Sequence, residues 1–306
     1  MSKAIFLFIA CLLLLLPPIF GSGEISFSDQ LVFTAPFLLL LGIPHGAIDN
    51  ILFLRKTSLK NYQFIGVYLL FVGVNVLLWL FLPVLAYLCF LVISAYHFGQ
   101  SQFCHYFKKQ PFLIKLLYFS WGSTLLSGLL YLNISELQGI MNEYDEFMQF
   151  SKLHQRDFLL YFFEGSTLSS ITILIVLSLQ KTLKLETMFM EFLVLLLILS
   201  SFYVLPLLIG FTFYFVILHS YKVLREEFLF LQGEQVIDTL LSFVKILAPF
   251  TLISIFGIIF LFGCIYLGAL SSSYGYCLLI IISSITLPHV FVMNRFYEVV
   301  FGMRFD

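Results

Sequence analysis

Between Lys60 and Lys108 this chain has no Asp, Glu, Lys or Arg, and there is none between Lys245 and Arg295. Charge-free runs of that length cannot form the outside of a water-soluble globule. At about 20 residues per bilayer crossing, each run is long enough for two passes. Inside lipid every backbone N–H and C=O must be satisfied within the protein, which leaves helices or a closed barrel. Barrel strands alternate apolar and polar residues, whereas these runs are apolar on all sides, so the chain is expected to fold as helices.

Composition extends the conclusion to the whole chain. Charged residues are 11% of the 306 and hydrophobic residues 61%, against about 25% charged in an ordinary soluble domain. Sixteen Lys+Arg against 17 Asp+Glu give a net charge of −1, so no electrostatic footprint for nucleic acid exists. Cys11, Cys89, Cys104, Cys264 and Cys277 are scattered and contain no CxxC pair, and they read as apolar filler. The expected fold is an all-α polytopic transmembrane bundle of about 8–10 spans. Dividing the sequence at charges, prolines and polar runs puts them near 3–20, 32–54, 62–81, 84–99, 112–132, 159–180, 188–203, 205–222, 244–268 and 274–293. Residues 1–306 read as a single integral membrane domain with no internal repeat.

Basic residues in short loops fix orientation, because Lys and Arg are retained in the cytoplasm. Lys3, Arg55/Lys56/Lys60, Lys108/Lys109, Lys181/Lys184, Lys222/Arg225 and Arg295/Arg304 alternate onto one side. The acidic stretch 133–158 falls opposite as an extracytoplasmic loop. Both termini are expected in the cytoplasm of a multi-pass inner-membrane protein. Residues 1–20 fit either a retained helix or a secretory signal.

Of six histidines, His105 and His154 fall in loops, while His45, His97, His219 and His289 fall within spans. Ionisable residues at membrane depth are costly and mark function by default. Each precedes a basic cytoplasmic flank, and at about 1.5 Å per residue all four lie within about 5 to 17 Å of it. Four imidazoles at overlapping depth on four helices suit a shared metal centre, since neutral imidazole is the commonest protein metal ligand. Independent interhelical hydrogen bonds are the alternative.

The flanking residues suggest a shaped site. In Gly42-Ile43-Pro44-His45-Gly46-Ala47-Ile48-Asp49 the glycines allow close helix approach, and Pro44 bends the helix beside the histidine. Asp49 lies one turn after His45 and can orient a ligand imidazole, or pair with Arg55 or Lys56. Gln100, three residues after His97, is a second candidate for that supporting role. Proline precedes histidine again in Leu287-Pro288-His289.

These motifs, together with Tyr96-His97-Phe98-Gly99-Gln100 and Leu218-His219-Ser220, resemble in their order those of the Brp/Blh family. Its members are β-carotene 15,15′-dioxygenases that supply retinal to rhodopsins. The resemblance implies an Fe(2+) enzyme that uses O2 to cleave the central double bond of β-carotene into two retinal molecules, with a retinal-receiving rhodopsin as a further partner. It carries His45, His97 and His219 over as iron ligands and His289 as a fourth ligand or pocket residue. The family usually has histidines where this chain has Asn50 and Val223, so it also implies that a divergent carotenoid- or retinal-binding member is a second possibility. Haem ligation and transport are further alternatives. No helix carries the two widely spaced histidines that haem ligation favours, and the several HxxxH or HxxHH boxes of membrane di-iron enzymes are missing.

Overall fold

A computed structural model describes residues 25–302 apart from Lys56 and Ser58, so the expected first span at 3–20 lies outside the described residues. Among the described residues nine helices are long and apolar enough to cross a membrane, and no strand is formed. The protein is an all-α, multi-pass membrane protein.

The first span, Phe27–Leu54, is broken in the middle. Helix α1 (Phe27–Phe37) widens into a π-helical turn at Leu38–Gly42, tightens into a 3-10 turn at Ile43–Gly46, and resumes as α2 (Asp49–Leu54). Then follow α3 (Asn61–Phe81), α4 (Pro83–Phe103), α5 (Phe112–Leu132), two short helices α6 (Ile134–Glu143) and α7 (Asp145–Met148), α8 (Arg156–Leu179) and α9 (Leu185–Val204). Helix α10 (Leu207–Tyr214) passes through a π-helical segment, Phe215–Ser220, into α11 (Tyr221–Gly233). Helices α12 (Leu240–Tyr266) and α13 (Tyr274–Phe301) complete the chain.

Among the described residues two compact units are formed: 25–35 with Ser94–His219, and Pro36–Ile93 with 220–302. In the first, α4 and α5 cross with almost no space between backbones. A methyl group on Gly99 would lie 1.9 Å from the Tyr118 carbonyl oxygen, and one on Gly122 would lie 1.8 Å from that of Ala95. Helix α8 packs on α5 through small polar residues, Thr124 Oγ1 lying 3.4 Å from Ser170 Oγ and Ser127 Oγ 3.5 Å from Ser166 Oγ. With lipid as solvent, association rests on this close packing of small side chains. Phe103 and Trp121, both buried, meet edge to face at 4.9 Å in the adjoining core.

The tight turn between α9 and α10 leaves backbone donors at the start of α10, where Pro206 precedes the helix. Glu136 Oε2 accepts from the Leu207 N–H at 2.8 Å, and Gln30 Oε1 accepts from the Leu208 N–H at 3.0 Å. Gln30 Nε2 donates to Glu136 Oε1 at 2.6 Å, locking the two caps together.

Residues 133–158, expected as a plain loop, contain α6 and α7. In α6, Leu137, Ile140 and Met141 form a buried stripe at helical spacing, and Leu137 and Met141 pack with Leu159 of α8. His154, expected in a loop, is buried, and burial lowers its pKa to about 4. His105 is exposed.

In the second unit α3 packs on α13 through buried polar groups. Asn75 Nδ2 donates to Ser283 Oγ at 3.1 Å and to Ser284 Oγ at 3.0 Å, and the Trp79 indole N–H donates to Ser283 Oγ at 2.6 Å. Phe71 stacks on Phe291 with centroids 5.1 Å apart.

Replacing Gly99 or Gly122 by Ala should cost the upper part of, or more than, the roughly 1–3 kcal/mol typical of overpacking, because the obstacle is backbone and cannot rotate away. Gly139→Ala, with nothing within 4 Å, should be neutral or slightly stabilising. Thermal unfolding in detergent distinguishes these outcomes.

His154 gives a pH prediction. The unfolded imidazole takes its proton near 6.5 and the folded one only near 4. Its contribution is therefore complete above about 6.5 and is lost as the pH falls toward 4, a change on the order of 3 kcal/mol. His154→Phe should flatten unfolding temperature against pH in that window.

Candidate functional site

Pro44 has no N–H, so the α-helical ladder cannot run unbroken through this part of the first span. The chain instead closes a 3-10 turn, with the Ala47 N–H donating to the Pro44 oxygen at 3.0 Å. The turn carries His45, whose Nδ1 bonds the Gly42 carbonyl oxygen. A carbonyl only accepts, so Nδ1 carries the proton and Nε2 is the basic nitrogen.

His289 lies on α13 directly after Pro288 and is buried. Its Nδ1 donates to Asp49 Oδ1 at 2.9 Å, which selects the same tautomer. The other carboxylate oxygen, Oδ2, accepts the Tyr68 hydroxyl at 3.2 Å. The His45 and His289 rings meet edge to face, centroids 4.8 Å apart. Gly46 lies against His289, since a Cβ there would be 3.4 Å from its Nδ1.

A second histidine pair lies in the other unit. His97 of α4 and His219 of the π-helical segment are both buried, with ring centroids 4.9 Å apart. One turn beyond His97, Ser101 Oγ lies 3.1 Å from His219 Nδ1. Phe98 meets the His219 ring edge to face at 4.9 Å, and Phe215 stacks on it at 5.5 Å. π-Helical insertions recur at functional sites because the extra residue turns the following side chains.

The expected residues are thus placed as His45–His289–Asp49 and as His97–His219, with Gln100 fully buried on the His97 helix. Among the described residues, no group of three or more His, Cys, Asp or Glu stands ready to hold a metal ion. The donor chemistry nevertheless suits one. At His45 and His289 Nδ1 donates to a neighbouring oxygen, the arrangement by which metal-binding imidazoles are oriented for ligation through Nε2, and at His219 the Ser101 hydroxyl lies beside Nδ1.

Four further polar residues were not singled out from the sequence. Tyr68 and Ser101 hold site residues through hydroxyls that no spacing rule distinguishes. Glu191, fully buried on α9, accepts the Tyr106 hydroxyl at 2.8 Å and the Gln102 amide N–H. Glu227, on α11, is also fully buried, and neither carboxyl oxygen has a hydrogen-bond partner among the described residues. As a lone acidic position inside a span Glu191 was detectable, whereas Glu227 was hidden beside Lys222, Arg225 and Glu226, which resemble an interfacial flank. Of the two departures from the family pattern, Val223 is fully buried, and Asn50 donates to Asn61 Oδ1 at 3.4 Å.

The family model for beta-carotene 15,15'-dioxygenase matches residues 37–297, a stretch that includes all four histidines and their flanking motifs. No curated protein and no solved structure matches the chain. The match spans most of the sequence, and this multi-pass helical protein with paired intramembrane histidines belongs to the beta-carotene 15,15'-dioxygenase family.

Proposed function

We propose that this protein is a membrane-embedded non-haem iron dioxygenase that splits the central 15,15′ double bond of β-carotene with O2, giving two retinal molecules. His45, His97, His219 and His289 serve as ligands of Fe(2+). Asp49 orients His289, and Gln100 supports His97 from one turn away on the same helix. The observation that carries this reading is the Nδ1 donation of His45 and His289 to acceptor-only oxygens, which leaves Nε2 as the basic atom in each.

Bound iron would activate O2 beside the polyene, since imidazole ligands suit Fe(II). The reaction balances without an external reductant: the carbon–carbon double bond and the O–O bond are broken, and each aldehyde takes one oxygen atom. No protein nucleophile is required. The chain's own residues bind and orient, and burial of His97, His219 and His289 keeps bulk water from these side chains. β-Carotene is insoluble in water, so the bilayer is its natural route to the protein, and retinal can pass through the same phase to a rhodopsin. The alternation of basic loops supports an inner-membrane location with both termini cytoplasmic.

A second reading is a carotenoid- or retinal-binding member without cleavage, favoured by the fully buried Val223 at a position where a family histidine is usual. Expression in carotene-accumulating bacteria separates the two. The enzyme should bleach the cells, yield retinal and purify with stoichiometric iron. Ala at any of the four histidines should lower iron content or activity by about tenfold or more, while His105→Ala is neutral. Persistent carotene with inserted, iron-supplied protein would sink the cleavage reading, and recovery in Val223→His would identify what was missing.

A further inference from the structure

Asp49 is buried within a span, where a carboxylate persists only when its oxygens find donors. It has one on each oxygen: Nδ1 of His289 at 2.9 Å and the Tyr68 hydroxyl at 3.2 Å. The two donors come from different helices, α13 and α3. A carboxylate held at one oxygen can still turn about its Cβ–Cγ bond. Held at both, its plane is fixed, and with it the direction in which His289 must donate.

Helix α3 is itself anchored against α13, by the Phe71–Phe291 stack and by Asn75 and Trp79 on Ser283 and Ser284. Tyr68 is further steadied by Phe64, its ring centroid 5.7 Å away. Its hydroxyl therefore approaches Asp49 from a braced helix.

From this geometry we infer that Tyr68 is a positioning residue: through Asp49 it holds the His289 ring in the Nδ1–H tautomer and in the orientation that presents Nε2. The link to iron rests on the dioxygenase reading, whereas the tautomer preference is a property of the protein without metal. Tyr68→Phe removes only the hydroxyl and keeps the ring beside Phe64. Asp49→Asn keeps the shape but adds an amide donor facing Nδ1, which favours the opposite tautomer.

The test uses full-length, metal-free protein in lipid nanodiscs with 15N-labelled histidine, the His289 signals being assigned by difference against His289→Gln. The wild type should show Nδ1–H. In Tyr68→Phe the signals should move toward a mixture of tautomers, and in Asp49→Asn toward Nε2–H. Anaerobic Fe(II) titration against a competing chelator should then show affinity about tenfold or more lower in both variants. An unchanged His289 tautomer in Tyr68→Phe overturns the proposal whatever happens to iron. If the tautomer shifts as expected but the wild type takes up no Fe(II), the positioning role stands and the iron reading falls.

Discussion

The constraint on which everything else here depends is that lipid offers no hydrogen bonds, so each polar group at membrane depth must find a partner in the protein. For the backbone the answer is helix, and departures from it are confined to places with substitute partners. The first span breaks at Pro44, where the Gly42 carbonyl accepts from His45 and the Pro44 carbonyl closes a tight turn. The start of α10 is capped by Glu136 and Gln30. Neither break is a passive defect. One sets His45 at an angle that a continuous helix would not give, and the other allows α9 and α10 to fold back with only Leu205 and Pro206 between them.

The same constraint explains how the side chains are distributed. Membrane helices gain little from burying Leu against Leu, because lipid is an equal partner, so specificity falls to small and polar residues. Gly99 and Gly122 let α4 and α5 approach until backbone meets backbone, and this contact flanks His97 and Ser101 on α4. In the other unit Asn75, Trp79, Ser283 and Ser284 fix α3 on α13 through hydrogen bonds. One member of each histidine pair, His97 on α4 or His289 on α13, thus sits on a helix braced within its unit by such contacts, which a site needs if its imidazoles are to be held to a fraction of an ångström.

Much of this was legible in the sequence, and the limit of legibility is physical. Charge-free runs bounded by Lys and Arg located the helices because insertion itself depends on that pattern. Cost at membrane depth singled out His45, His97, His219 and His289, and the i, i+4 relation to His45 pointed to Asp49 as an orienting group. Pairing was not readable, since which imidazole faces which depends on interhelical rotation, and in an all-apolar sequence no amphipathic stripe records it. Tyr68 was hidden for the same reason, as one of 16 tyrosines without a spacing to mark it. Helix α6 was readable in principle: Leu137, Ile140 and Met141 stand at helical spacing, but the acidic residues around them suggested an exposed loop.

The two departures from the family pattern differ in weight once burial is considered. Asn50 is only partly buried and reaches Asn61 by hydrogen bond, so this position tolerates a polar side chain without a special partner. Val223 is fully buried, and an imidazole there would need a buried hydrogen-bond partner or a metal to bind. One turn along the same face of α11, Glu227 is fully buried with no hydrogen bond to either carboxyl oxygen among the described residues. Desolvating such a group costs several kcal/mol when nothing compensates it. Apolar replacement at 223 therefore has not made this face of the helix apolar. It carries a polar group one turn further along, in a unit that also contains Asp49, Tyr68, His45 and His289.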